Sequence, residues 1–222
     1  MHEAVANHFS LAVSDDGKKF LVNPNGSHFS RIRASDLLLL DADDPATMDR
    51  PDAPDPTAWD LHSAIHRNVS GARCILHVHS KYALALACLA DSTLPPIDQN
   101  TMRFYGRMLI DDGFDGMGLG DEAARVSHAF RDNPDKPVMV MGNHGVMIIG
   151  TSVARTFDEL FYFERACETY ITALSTGRPL RLASDAVARK TCRQWIEYPG
   201  VGDLHFSALK RILDDENSDF RA

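Results

Sequence analysis

The segment Cys74-Ile75-Leu76-His77-Val78-His79-Ser80 limits what this chain can fold into more than any other stretch of it. We interpret residues 73–79 as a short β-strand. Alternate side chains of a strand point to the same face, so His77 and His79 share one side, with Cα atoms roughly 6.5 Å apart. Polar side chains at the end of an otherwise apolar strand need partners, because an unpaired buried polar group is costly.

A metal ion is one such partner. Two imidazoles at this spacing can bind a single divalent ion at about 2.0–2.1 Å each. A third histidine, His144 in the turn Gly142-Asn143-His144-Gly145, would complete a three-histidine site with an open position, which is the form of a catalytic metal centre. The alternative is that the histidines bind backbone carbonyls at the edge of the core. With 10 histidines in 222 residues, chance gives roughly 0.4–0.5 His-x-His pairs, so the spacing leaves both interpretations open.

A second histidine pair competes for the same interpretation. His62 and His66 are four residues apart and would share one face of a helix. The zinc-protease pattern needs glutamate directly after the first histidine, and Ser63 stands there. We therefore interpret this pair as one face of an amphipathic helix.

Composition favours a single globular domain with a sizeable core, because 44% of the residues are hydrophobic and 24% are charged. The net charge of −8 argues against nucleic acid or an anionic membrane as a partner, and leaves a small-molecule substrate. No apolar run reaches the ~20 residues of a membrane span. The N-terminus shows no signal peptide, and the four cysteines form no Cys-x-x-Cys motif. We expect a cytoplasmic protein.

Short strands and helices alternate along the chain. Strands are predicted at residues 7–12, 19–23, 37–40, 73–79, 138–141 and 146–149, and helices at 58–68, 81–90, 152–175, 184–197 and 203–213. Predicted helix N-caps are Thr57, Ser80, and Thr151 or Ser152. The glycine-rich run 113–120 has no predicted strand before it, so we interpret it as a flexible surface loop. The pattern predicts one α/β/α three-layer domain over residues 1–213, with a central, mostly antiparallel sheet covered by helices on both faces, and a frayed tail at 214–222.

The order of these segments resembles the class II aldolase/adducin family, over roughly residues 5–175. The family's signature is a histidine-x-histidine-serine strand end, followed later by an asparagine-histidine-glycine turn and a long helix. The matching segments are His77-Val78-His79-Ser80, Asn143-His144-Gly145-Val146, Asn7-His8-Phe9-Ser10, Leu21-Val22-Asn23-Pro24-Asn25-Gly26, Ala34-Ser35-Asp36-Leu37 and Leu61-His62.

The resemblance implies one divalent metal per chain on His77, His79 and His144. Zinc is favoured, with manganese, iron and cobalt as alternatives. It also implies a role in carbohydrate metabolism and a homotetramer with active sites between subunits. The metal would stabilise an enediolate as charge develops. The aromatic residues 161–163 span about 200° of the long helix, which is typical of a subunit interface or of a helix buried within its own domain.

This sequence differs from the sugar aldolases at the position of their acid/base glutamate. The matching position, four residues before His62, is Ala58, and alanine cannot transfer a proton. The phosphate-binding loops of those enzymes are rich in serine and threonine, whereas Asn25-Gly26 and Pro56-Thr57 stand here. These segments are more similar to an adducin-like bacterial branch of the family.

Two functions follow. The first is a metal-dependent lyase, of aldolase or decarboxylase type, that acts on a small sugar-derived or hydroxy- or keto-acid substrate. Asn25, Gly26 and Arg103 are its candidate substrate-binding residues, and Tyr105 is its candidate proton donor. The alternative for Tyr105 and Arg103 is a surface aromatic and a solvated charge. The second function is a non-catalytic, adducin-like interaction module that retains the metal site.

Overall fold

The computed structural model describes residues 3–116, 121–216 and 218–222. Within these ranges the strands are β1 (His8–Ala12), β2 (Lys19–Val22), β3 (Leu38–Asp41), β4 (Cys74–Val78), β5 (Met108–Asp111), β6 (Val138–Met141) and β7 (Gly145–Gly150). The helices are α1 (Pro56–Asn68), α2 (Lys81–Ala87), α3 (Gln99–Arg103), α4 (Glu122–Asp132), α5 (Val153–Leu174), α6 (Asp185–Glu197) and α7 (Val201–Asp215). Short 3-10 turns occupy residues 29–31, 34–36 and 47–49.

The strands form one sheet in the order β3-β2-β1-β4-β7-β6-β5. All neighbours pair antiparallel except β5 and β6, which run parallel. The predicted mostly antiparallel sheet is therefore confirmed. The histidine strand β4 lies at its centre, between β1 and β7, so both its edges are hydrogen-bonded.

Helices cover both faces of the sheet, which confirms the three-layer architecture. Even-numbered residues of β4, such as Leu76, pack with α2 and α5 through Leu86, Leu160 and Phe163. Odd-numbered residues, such as Ile75, face α1 and α4 and pack in a second cluster that contains Leu61, Ile65, Val126 and Phe130. His77 has the parity of Ile75 and so lies on the α1 side of the sheet.

Three elements lie outside the predicted set: α3, β5 and α4. β5 has only four residues, none of them fully buried, so its apolar signal is weak. It ends two residues before the glycine-rich run, and the prediction that no strand precedes that run was wrong. Residues 112–116 are exposed and have no helix or strand, while Met117 to Gly120 lie outside the described residues.

One predicted helix cap was wrong. Asp55, not Thr57, caps α1, because its carboxylate accepts the backbone N–H groups of Thr57 and Ala58. Ser80 is the N-cap residue of α2, as predicted, but its side chain makes no cap bond. The Ser152 cap of α5 is confirmed by its bond from the backbone N–H of Arg155.

The aromatic residues of α5 are largely covered by the chain's own helices. Phe163 is fully buried in the core. The ring centroid of Phe161 lies 4.7 Å from that of His205 on α7, and the ring of Tyr162 lies 5.9 Å from Trp195 on α6. The arc therefore fits a helix buried within its own domain, and a homotetramer stays a prediction from the family resemblance.

The C-terminal segment continues α7 to Asp215, two residues past its predicted end. Beyond it, the carbonyls of Phe220 and Ala222 accept hydrogen bonds from the backbone N–H groups of Ala34 and Ser35 at 3.0 and 2.8 Å. A frayed tail at 214–222 remains a prediction. Within the described ranges, no helix combines the length and the apolar character needed to cross a membrane.

Candidate metal centre

The fold brings His77, His79 and His144 together at one edge of the sheet. One ring nitrogen from each lies within 4.8 Å of the others, and the Nε2 atoms of His77 and His79 are 3.0 Å apart. His77 is in β4, His79 follows the end of that strand, and His144 is in the turn that joins β6 to β7. The pairing of β4 with β7 places the strand end beside that turn, since Val78 is opposite Val146.

The turn that carries His144 depends on two small or adaptable residues. Asn143 has a φ of 58°, a left-handed conformation that asparagine tolerates better than most residues. Gly145 lies against the other histidine segment, because a Cβ there would meet the Val78 carbonyl oxygen and His79 Cδ2 at 2.7 Å each. Glycine at this position therefore lets His79 and His144 approach each other.

Two carboxylates orient the ligand histidines. His79 Nδ1 lies 2.6 Å from Glu3 Oε2, and His144 Nδ1 lies 3.1 Å from Glu122 Oε1. When Nδ1–H donates to a carboxylate, the Nε2 lone pair is left free for a metal, as in the common carboxylate–histidine–metal arrangement. Both rings are thus prepared to bind through Nε2.

Burial keeps the third ligand neutral. His77 is almost fully buried, and burial lowers its pKa well below 6.5, with His8, His144 and His79 adding to the effect. A neutral imidazole is the form that binds a metal, and three neutral nitrogen donors suit zinc and related divalent ions. The residues present therefore fit the divalent metal that the sequence predicts.

A buried carboxylate anchors the segment that follows His79. Glu164 of α5 accepts the hydroxyl of Ser80 at 2.6 Å and the backbone N–H groups of Tyr82 and Ala83 at 2.9 Å each. Glu164, and not the Ser80 side chain, provides the capping interaction of α2. A carboxylate at a helix N-terminus accepts hydrogen bonds from the free N–H groups of the first turn and interacts favourably with the helix dipole. Glu164 thereby ties the end of β4 to α5.

A cavity of about 450 Å³ opens beside the three histidines. Asn25, predicted to bind substrate, lines it, and Gly26 directly follows. Ala58 also lines it, so the position matched to the aldolase glutamate does face the cavity but brings no carboxylate. Further lining comes from Glu3, Asn7, His8, Asp55, Thr57, Phe114 and Asn143.

Arg103 and Tyr105 lie away from this cavity within the chain. Arg103 Nη2 is 2.7 Å from Asp158 Oδ2, and its guanidinium packs over the rings of Tyr162 and Trp195. The alternative of a solvated charge was wrong for Arg103, because the unpredicted helix α3 buries it against α5 and α6. Tyr105 is on the surface, and its hydroxyl donates to Asp185 at 2.8 Å. Neither residue is placed beside the histidines by one chain alone.

Sequence reasoning missed the two carboxylates that orient the histidines. Glu3 precedes His79 by 76 residues and Glu122 precedes His144 by 22. No periodicity links positions so far apart. His8 was visible only as part of a family-like segment, yet its ring stacks on that of His77 with centroids 4.7 Å apart.

Comparison with known proteins agrees with the fold. Residues 1–171 match the domain described as Class II Aldolase and Adducin N-terminal domain. A Pseudomonas aeruginosa relative named "Putative aldolase class 2 protein" is 31% identical over 229 residues, covering 99% of this chain and 85% of its own. The decarboxylase NovR of Streptomyces niveus is 26% identical over 220 residues, covering 96% and 78% respectively. The crystal structure of an aldolase II superfamily protein from Pseudomonas syringae superposes with a TM-score of 0.86 at 30% identity, covering 100% of this chain and 88% of that one. The chain belongs to the class II aldolase and adducin family.

Proposed function

We propose that this protein is a metal-dependent carbon–carbon lyase, of aldolase or decarboxylase type, for a small hydroxy- or keto-acid or sugar-derived substrate. The observation that carries the proposal is the set of three histidines, two of them held by carboxylates, beside a cavity of substrate size. Zinc is the favoured ion, and manganese, iron and cobalt are alternatives. His77, His79 and His144 would hold it.

A bound divalent metal supplies Lewis-acid stabilisation of the negative charge that develops on substrate oxygens. The chain's own residues bind and orient the substrate. Asn25 and Asn143 line the cavity, and side-chain amides can hydrogen-bond hydroxyl or carboxylate oxygens. Phe114, whose ring centroid lies 6.0 Å from that of His144, covers one side with an apolar surface.

Decarboxylation is favoured over aldol cleavage by one feature of the cavity. Loss of carbon dioxide leaves the carbanion directly and needs no base to begin, whereas aldol cleavage starts with removal of a hydroxyl proton. Ala58 stands in the cavity wall where a carboxylate base is expected. The decarboxylase NovR among the relatives is in keeping with this choice.

Metal content tests the site itself. We expect one divalent ion per wild-type chain and far less in His79→Ala, measured by elemental analysis of purified protein. His128→Ala is the matched control, because His128 is exposed on α4, away from the cavity. Equal metal content in wild type and His79→Ala would refute the three-histidine centre.

Turnover tests the reaction. Hydroxy and keto acids should release carbon dioxide, while cleavage of fuculose-type sugar phosphates should be weak, because a missing general base costs about 10²–10⁴-fold in rate. If Ala58→Glu raises sugar-phosphate cleavage, the position is confirmed as that of the base. Robust cleavage by the wild type would mean that another group removes the hydroxyl proton.

The second candidate is a non-catalytic, adducin-like interaction module, which the family description supports by naming adducin. Metal binding without turnover across the substrate panel would favour it. For either function we propose a homotetramer, in which a neighbouring chain's Tyr105 reaches the cavity; Arg103 is held in its own chain by Asp158. Light scattering measures the mass in solution and so tests the oligomer. A concentration-independent mass near 24.6 kDa would show a monomer and would rule out an active site shared between chains.

A further inference from the structure

The start of helix α1 forms one wall of the histidine cavity. Asp55, Thr57 and Ala58 all line that cavity. Pro56 stands at the first helical position and has no backbone N–H to donate. The first donors of the helix are therefore the N–H groups of Thr57 and Ala58. Free N–H groups and the positive end of the helix dipole make such a terminus a binding site for a phosphate or carboxylate group.

The chain's own carboxylate already occupies this terminus. Asp55 Oδ1 accepts the backbone N–H of Thr57 at 2.9 Å and that of Ala58 at 3.3 Å. The hydroxyl of Thr57 donates to the same oxygen at 2.6 Å. The next N–H along the helix, that of Trp59, donates to the Asp55 carbonyl oxygen. The donors of the first turn are thus bonded to Asp55, and a substrate anion would have to displace its carboxylate.

The cavity brings no basic side chain to a second anionic group of the substrate. No arginine or lysine lies among the described residues that line it. Residues 117–120, outside the described ranges, include no charged residue in the sequence. Arg103, the predicted substrate-binding cation, is bonded to Asp158 instead. A metal ion on the three histidines is therefore the partner that one chain offers to a substrate anion.

Carboxylates near the metal site outnumber the charge of the ion. Glu3 and Glu122 contact the ligand histidines at 2.6 and 3.1 Å, and Asp55 adds a third negative charge to the cavity wall. A divalent ion contributes two positive charges, so these groups and the ion together are negative before substrate binds. One carboxylate of a substrate can bind the metal directly. A second anionic group at the α1 wall meets the charge of Asp55 with no cation to offset it.

We propose that Asp55 determines the charge of the substrate. It occupies the anion-binding end of α1 and selects a substrate whose single anionic group is a carboxylate on the metal. The end of that substrate that faces α1 is uncharged and carries hydroxyl groups, because the Asp55 carboxylate accepts hydrogen bonds from hydroxyls and repels phosphates. The inference rests on the proposed function and narrows its substrate class to non-phosphorylated hydroxy or keto acids.

Two acids that differ by one phosphate test the charge of Asp55. Glycerate has one carboxylate and a terminal hydroxyl, and phosphoglycerate carries a phosphate on that hydroxyl. We expect Asp55→Asn to bind phosphoglycerate on the order of 10-fold more tightly than wild type, which is the effect of a unit charge on a dianion roughly 6 Å away in water. The affinity for glycerate should change much less. Asparagine keeps the helix cap, because its side-chain oxygen also accepts the N–H groups. The measurement is a ligand-observed NMR titration of metal-loaded protein at constant ionic strength.

Two more variants separate the charge of Asp55 from its hydrogen bonds. Asp55→Gly frees the N–H groups of the first turn, and glycine is tolerated at a helix N-cap. Phosphoglycerate should therefore bind Asp55→Gly at least as tightly as Asp55→Asn. Asp44→Asn is the matched control, because the Asp44 side chain also accepts a backbone N–H, that of Ala46, but does not line the cavity. It makes the same change in net charge and should leave both affinities unchanged.

Equal affinities of Asp55→Asn and Asp44→Asn for phosphoglycerate would overturn the inference. Wild-type protein that binds phosphoglycerate as tightly as glycerate would also overturn it, because a cation from elsewhere would then offset Asp55. Failure of both acids to bind any of the four proteins would overturn the inference together with the proposed substrate class. These titrations need no turnover, so an absent lyase activity would overturn the proposed function and leave the charge selection by Asp55 in place.

Discussion

Acid should destabilise this protein through His66, and the structure gives the size of the effect. The folded chain lowers the pKa of His66 from 6.5 to about 4, mainly by burial, with Arg73 contributing and the backbone of Ala72 opposing. The unfolded chain has no such burial and keeps the ordinary value. Between pH 6.5 and 4 the unfolded state therefore binds more protons than the folded state, and the stability contributed by the neutral ring is lost as the pH falls. Above pH 6.5 that contribution is fully present.

The shift of about 2.5 pKa units corresponds to about 3 kcal/mol of unfolding free energy lost across this window, since one unit is worth about 1.4 kcal/mol. A domain of ordinary stability has about 5–15 kcal/mol in total. The assay is urea unfolding at several pH values between 7 and 4, in the presence of a chelator so that protonation of metal ligands does not add to the slope. His66→Gln removes the titrating ring, together with the part that His66 plays in lowering the pKa of His62.

The difference between wild type and His66→Gln should change by about 3 kcal/mol between pH 6.5 and 4, with wild type losing more stability. Parallel stability curves for the two proteins in this window would show that His66 is not held neutral by the fold.

Three further substitutions test the site's construction. Gly145→Ala should abolish most metal binding, measured by elemental analysis, because the added methyl would meet His79 Cδ2 and the Val78 carbonyl at 2.7 Å; full metal content would contradict the close approach. Glu122→Gln should weaken metal affinity by about 10–100-fold in a competitive chelator titration, because the carboxylate that orients His144 is lost; an unchanged affinity would assign Glu122 a purely structural role. Glu164→Ala should lower the free energy of unfolding on the order of 3 kcal/mol, because three donors at the start of α2 lose their acceptor; a loss well below 1 kcal/mol in urea unfolding would mean that water replaces the carboxylate.

The sequence alone predicted the three-layer arrangement with a mostly antiparallel sheet, and the three histidines, although it missed α3, β5 and α4. Strand periodicity set which face of β4 carries His77, and turn residues around His144 predicted the β6–β7 hairpin. These signals are local: side-chain alternation and turn chemistry depend on neighbours within a few positions. The cap of α5 at Ser152 followed from the same kind of local rule.

Only the tertiary structure decided which distant groups meet. The bonds of Glu3 to His79 and of His8 to His62 join residues 76 and 54 positions apart, and no local pattern encodes such pairs. The short strand β5 forms because it pairs with β6, not because its own four residues favour a strand. Arg103 is buried because α3 packs on α5 and α6, where Asp158 compensates its charge. In each case the deciding interaction lies between segments that are remote in the chain, so its energy exists only once the chain has folded.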